Sequence, residues 1–128
     1  MSEDASEGVQ NPRMDVSFFD GVVLVELKDR KILDEVSIMQ IGEQLNAVLQ
    51  KSAQEGLPRF VVDFTNVAHM SSSALGVLIT LHKRIREKRG QLRLCCIQPA
   101  IYEIFVITRL NEIFQIRQSR QEALDSLS

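Results

Sequence analysis

The chain has 128 residues, 45% of them hydrophobic, with 17 acidic against 15 basic side chains and a formal net charge of -2. That length suits one domain whose core needs no disulfide or metal staple, and the charge balance leaves no basic excess to grip nucleic-acid phosphates. No apolar run approaches the ~18 residues of a membrane span, and the acidic, polar start MSEDASEGVQNPR is unlike a secretion signal, so a cytoplasmic protein is expected.

Residues 1–13 are polar, nearly free of large apolar side chains and closed by Asn11-Pro12, the composition of a disordered tail ahead of a domain over 14–128. MDVSFFDGVVLVELK then presents two β-branched and aromatic runs joined by Asp20-Gly21. An Asp-Gly pair tolerates the positive φ of a tight turn, so strands are expected at Met14–Phe19 and Val22–Leu27. From Asp34, a candidate N-cap, the period becomes helical: Ile38, Ile41, Leu45, Val48 and Leu49 form a stripe that Gly56-Leu57-Pro58 ends. RFVVDF, residues 59–64, is a short apolar run suited to a strand covered on both faces.

A second helix is expected from Ser71 or Ser72 to about Lys88, stopped by Gly90; its basic end HKRIREKRG reads as a solvated helix face. QLRLCCI is the next strand. Neighbouring strand side chains point to opposite faces, so Cys95 and Cys96 are expected to be small buried hydrophobes, badly placed to chelate or to bridge. Pro99 opens a third helix carrying Ile101, Ile104 and Phe105. Phe114 to Ile116 suits a short edge strand, and Ser119 followed by Glu122 is a capping box for a last helix. Strands alternating with helices in this way imply right-handed crossovers. The expected fold is a single α/β domain: a mixed, mostly parallel sheet with an N-terminal hairpin and about four helices.

The chemistry concentrates in DFTNVAHMSSSALGVLITL, residues 63–81. A strand delivers the chain to the carboxyl edge of the sheet, where sites lie in open α/β folds, and three serines open a helix. One hydroxyl accounts for an N-cap. A phosphoserine at the same place would be favoured by the helix dipole and the free amides. His69 stands three residues before Ser72, but the Gly-x-Ser-x-Gly of a nucleophile elbow is missing. His82 lies about 15 Å further along the helix axis, within the apolar arc, and reads as a core-edge residue. Paired carboxylates, phosphate-cradling glycines and metal-ligand spacings are also missing. No catalytic residue, metal or cofactor is expected, and the chain reads as a non-enzyme.

DFTNVAHMSSSALGVLI, residues 63–79, resembles the signature of STAS domains of the anti-sigma-factor antagonist family, and RLNEIFQIRQSRQEALDSL resembles that family's closing segment. The resemblance spans about residues 14–127. It places the phosphoacceptor at Ser72, with Ser71 and Ser73 as less favoured acceptors, and implies a partner serine kinase, often the anti-sigma factor itself, and a phosphatase that reverses the modification. Ser71 stands where the family carries an acidic residue and Ala74 where it carries glycine. The partner surface expected beside Ser72 comprises Ser71, Ser73, Ala74, Val77 and Leu81, an arc beyond the Leu75, Leu78, Ile79 stripe that would face the sheet; covering of that arc by the C-terminal helix is the alternative. Two other functions fit the same residues: a constitutive structural STAS subunit of a transporter-associated or stress-sensing complex whose serines only cap, and a small-anion binder at the helix N-terminus.

Overall fold

The computed structural model describes residues 10, 11 and 13–127; the greater part of the expected tail over 1–13 lies outside them. A six-stranded sheet runs in the order β1-β2-β3-β5-β7-β8. Its strands are β1 (Gln10–Asn11), β2 (Met14–Phe19), β3 (Val22–Leu27), β5 (Arg59–Asp63), β7 (Gln91–Cys95) and β8 (Gln115–Arg117). The first three are antiparallel, and β3, β5, β7 and β8 are mutually parallel. The hairpin turn is as expected: Asp20 and Gly21 sit at φ 50° and 76°. The strand β1 was not expected, since Gln10-Asn11 carries no apolar signal and is placed by pairing with Met14 and Asp15.

Alternation along the strands separates two faces. Val16, Val25, Val62, Leu94 and Ile116 lie in register across the sheet and belong to the main core, which also holds the stripes of α1 and α2. Leu24, Val61 and Cys95 point to the other face, where they meet Ala123, Leu124 and Leu127 in a smaller cluster.

Among the described residues four helices complete the fold, as expected. Helix α1 (Glu35–Gln54) starts at Asp34, whose carboxylate accepts the Ser37 amide at 2.9 Å, and buries the expected stripe of Ile38, Ile41, Leu45, Val48 and Leu49. Helix α2 (Ser72–Glu87) buries Ala74, Leu75, Leu78, Leu81 and Ile85, while Lys83, Arg84, Arg86 and Glu87 are solvated. Gly90 ends it, donating its amide to the Ile85 carbonyl at 2.8 Å. A Cβ at Gly90 would stand 2.3 Å from the Pro58 carbonyl oxygen; only glycine lets the two segments approach so closely. Helix α3 (Pro99–Ile107) buries Ile101 and Phe105. Helix α4 (Arg120–Asp125) has the capping box: Ser119 Oγ accepts the Glu122 amide at 3.1 Å, and the Glu122 carboxylate accepts the Gln118 amide at 3.2 Å.

Three further elements escaped the sequence reading. The two-residue strands β4 (Lys31–Ile32) and β6 (His69–Met70) pair in parallel as a second small sheet, and Leu110–Glu112 forms a 3-10 turn. The expected edge strand is shifted by one residue, because Phe114 is drawn into the core against Phe105 and His82. No described helix is long and apolar enough to cross a membrane.

Candidate functional site

The segment linking β5 to α2 is tied down on every side. The Phe64 amide donates to the Cys95 carbonyl at 3.0 Å, Asn66 Nδ2 to the Leu27 carbonyl at 3.1 Å, and Gln98 Nε2 to the Thr65 carbonyl at 3.2 Å. Val67 is fully buried. The β4–β6 pairing then carries the chain onward, and the Ser71 amide donates to the Ile32 carbonyl at 3.1 Å. Neighbouring backbone, more than local propensity, fixes where α2 begins.

The three serines divide their work. Ser71 is the N-cap, at φ -86° and ψ 165°, and its hydroxyl accepts the Ala74 amide at 3.3 Å. Ser72 and Ser73, the first two helical residues, are exposed. Both hydroxyls therefore stand in solvent at the positive end of a 16-residue helix, where an anion is favoured by the dipole and the free amides of the first turn.

The expected docking arc is only partly open. Ala74 and Leu81 are each 3% exposed because α1, and not the C-terminal helix, packs over that side of α2; α4 lies across the sheet. Val77 is half-buried. What remains between α1 and α2 is an open groove of about 440 Å³, whose lining includes Met39, Gly42, Ser73, Gly76, Val77 and Thr80. Met39 on its α1 wall, and Val36 three residues earlier on the same helix, are about half exposed. These α1 residues were missed from the sequence; their signal was apolar side chains outside the Ile38, Ile41, Leu45 stripe.

Beneath the linker, Asp63 is 2% exposed and its carboxylate is saturated. Oδ1 accepts the Thr65 amide at 2.8 Å and the Thr65 hydroxyl at 2.5 Å; Oδ2 accepts Arg120 Nε at 2.9 Å and Nη2 at 2.7 Å. Burial pushes the carboxyl upward, but the Thr65 and Arg120 bonds outweigh it and hold the group below the usual carboxylate range. Arg120 also approaches Glu26 at 3.7 Å, so one guanidinium joins α4 to β3 and β5. This clamp was missed because its members are 57 residues apart.

His82 packs edge-on against Phe114, with ring centroids 5.3 Å apart; burial and the nearby Arg86 lower its pKa. This is the core-edge place expected of it. His69 is exposed on β6.

The cysteines correct the expectation drawn from strand alternation. The strand ends at Cys95, and Cys96 takes a left-handed φ of 62°. That turn brings the two sulfurs to 3.5 Å, with the Cys96 thiol donating to Cys95 Sγ. Asp63, Cys95 and Cys96 offer ligand atoms within 4.8 Å of one another, the candidate metal cluster among the described residues.

Comparison with known proteins places this geometry. The STAS domain model matches residues 13–123. The chain belongs to the STAS domain family. The Bordetella bronchiseptica protein BtrV is 35% identical over 82 residues, 64% of this chain and 71% of its own. An anti-sigma-B factor antagonist of Listeria monocytogenes is 28% identical over 108 residues, covering 78% of this chain and 93% of that one. A solved anti-sigma-factor antagonist (STAS) domain protein from Planctomyces limnophilus superposes with a TM-score of 0.77 at 24% identity, over 90% of this chain and 97% of the other. The mixed, mostly parallel α/β fold with an N-terminal hairpin and four helices expected of such a domain is the one observed.

Proposed function

We propose that this STAS domain is an anti-sigma factor antagonist, a cytoplasmic protein-binding module that holds a partner anti-sigma kinase and is released when the kinase phosphorylates Ser72, a phosphatase restoring the binding form. The observation that carries the reading is the division of labour at α2: Ser71 serves as the cap, so Ser72 is free for modification without loss of helix stability. The naming of relatives as anti-sigma factor antagonists supports the choice of partner.

The mechanism is electrostatic. Phosphate adds about -1.5 to -2 charges to a surface of hydroxyls and the Val77, Gly76 and Met39 groove wall. The dipole and amides of α2 accept that charge in the free protein. A partner that buries the same patch must desolvate it or leave it unpaired, at about 3 kcal/mol or more, about two orders of magnitude in Kd. Phosphorylation thus leaves the fold intact and removes the complex. Ser71 in place of an acidic residue leaves no carboxylate beside the acceptor to repel the phosphate.

The test is incubation with the cognate anti-sigma kinase and ATP, followed by mass mapping of the 63–81 segment and binding measurements on Ser72→Ala and Ser72→Asp. Phosphate at Ser72, with binding retained by Ser72→Ala and lost by Ser72→Asp, supports the switch. Equal binding by both variants and an unmodified segment would instead make the domain a constitutive structural subunit.

A further inference from the structure

We propose that Cys95 and Cys96 form a reversible redox modification site, closing to a vicinal disulfide when the protein meets a hydroperoxide. The sulfurs already lie 3.5 Å apart in the reduced protein, against about 2.05 Å in the bond, so ring closure needs a local rotation and no movement between elements. The left-handed backbone at Cys96 is what turns the two side chains to one side, against the alternation of an ordinary strand.

The alternative use of this cluster, a metal centre, is opposed by its third member. Each Asp63 oxygen already accepts two hydrogen bonds, from Thr65 and from Arg120, which fills the four acceptor positions of a carboxylate. Two thiolates alone fall short of the four ligands of a structural zinc site, and the adjacent Arg120 guanidinium opposes a cation. What remains available to the sulfurs is reaction with each other.

Exposure assigns the roles. Cys96 is half-buried, whereas Cys95 is fully buried under α4. Burial, with the neighbouring Cys96 thiol, pushes the Cys95 thiol well up in pKa, which keeps it protonated until needed. Cys96, as the thiolate, attacks the peroxide: an S–O bond forms as the O–O bond breaks, sulfur is oxidised by two electrons to the sulfenic acid, and the released alkoxide or hydroxide takes up a proton. The Cys95 sulfur then attacks Cys96; the S–S bond forms, the S–O bond breaks, and hydroxide leaves with the Cys95 proton as water. Adjacent Cα atoms are only about 3.8 Å apart, under the ~4.4 Å short end of ordinary disulfides. The ring is therefore strained and readily reopened by a thiol, as in labile rather than structural disulfides.

Closure has a route to the linker before Ser72. Cys95 and Gln98, on either side of Cys96 and Ile97, hold the linker through the Phe64 amide and the Thr65 carbonyl. Rotation at Cys96 strains both ties; its meaning for the switch rests on the proposed function, while the bond itself does not.

The test uses the native full-length chain treated with hydrogen peroxide near stoichiometry and followed by intact mass. The expected product is monomeric, lacks two hydrogens and both alkylatable thiols, carries the bond within the tryptic peptide from Leu94 to Arg109, and returns to the starting mass with dithiothreitol. Cys95→Ser should instead accumulate a Cys96 sulfenic acid trapped by dimedone. The proposal is overturned if wild type yields that adduct or a sulfinic acid as fully as the variant, if the product is a dimer linked between chains, or if the bond forms only in denaturant. Faster hydrogen exchange at the Phe64 amide in the oxidised protein supports the tie to the linker, and unchanged exchange overturns that part alone.

Discussion

The Ser71 hydroxyl accepts the Ala74 amide at 3.3 Å, and this single bond separates the structural serine from the exposed hydroxyls of Ser72 and Ser73. Ser71→Ala should destabilise the protein by about 1 kcal/mol through loss of the cap. Ser72→Ala and Ser73→Ala should each stay within about 0.5 kcal/mol of the parent. Urea titrations of the three variants check this; a larger cost at Ser72 than at Ser71 would reverse the assignment.

Gly76 offers an independent probe of the groove. It is a helical glycine, exposed, with open space within 4 Å of where a Cβ would stand. Gly76→Ala should raise stability by about 0.8 kcal/mol, since alanine is the better helix former. The added methyl group faces the groove, so partner affinity should fall while the melting temperature rises. Calorimetry beside a binding titration reads both changes, and unchanged affinity would move the docking surface away from Gly76.

The Asp63–Arg120 clamp should announce itself in acid. The folded carboxyl titrates below its unfolded value, so its stabilisation is fully present above the unfolded pKa of about 3.9 and is lost as pH falls through the lower folded value. Arg120→Ala leaves Asp63 with only the Thr65 bonds and should cost about 2 kcal/mol at neutral pH. Arg120 is 42% exposed, which keeps the figure below that of a fully buried pair. Denaturation across pH 2 to 7 should show a shallower acid limb in the variant than in the parent.

His82 acts in a milder range. Its folded pKa lies below the unfolded one, so the unfolded chain takes up its proton first and stability declines as pH drops below about 6.5. His82→Leu keeps the packing against Phe114 and removes the titration. The variant should lose less stability than the parent between pH 7 and 5, as measured by thermal melts; parallel pH profiles would show that His82 is fully hydrated.

Helix stripes, capping residues and the Asp20-Gly21 turn were legible because each is a local relationship within a few residues, where backbone geometry alone connects pattern to structure. The same locality carried the Ser71–Ser73 motif, the family and its element order. The interior of the site was not legible in that way. That Ala74 and Leu81 are covered follows from the packing of α1 on α2, and a helical wheel does not name its neighbour. The strands β4 and β6 exist only by pairing with each other, and Arg120 reaches Asp63 only because α4 folds onto the far face of the sheet. The cysteines state the difference most sharply. Sequence alternation sends them apart, and the chain's exit from β7 into a left-handed turn at Cys96 brings their sulfurs together. Sequence alone determined the four helices, the longer strands and their order, since these rest on periodicity and local bonding. Tertiary structure decided which faces stay open and which distant side chains meet, since those depend on contacts between segments far apart in the chain.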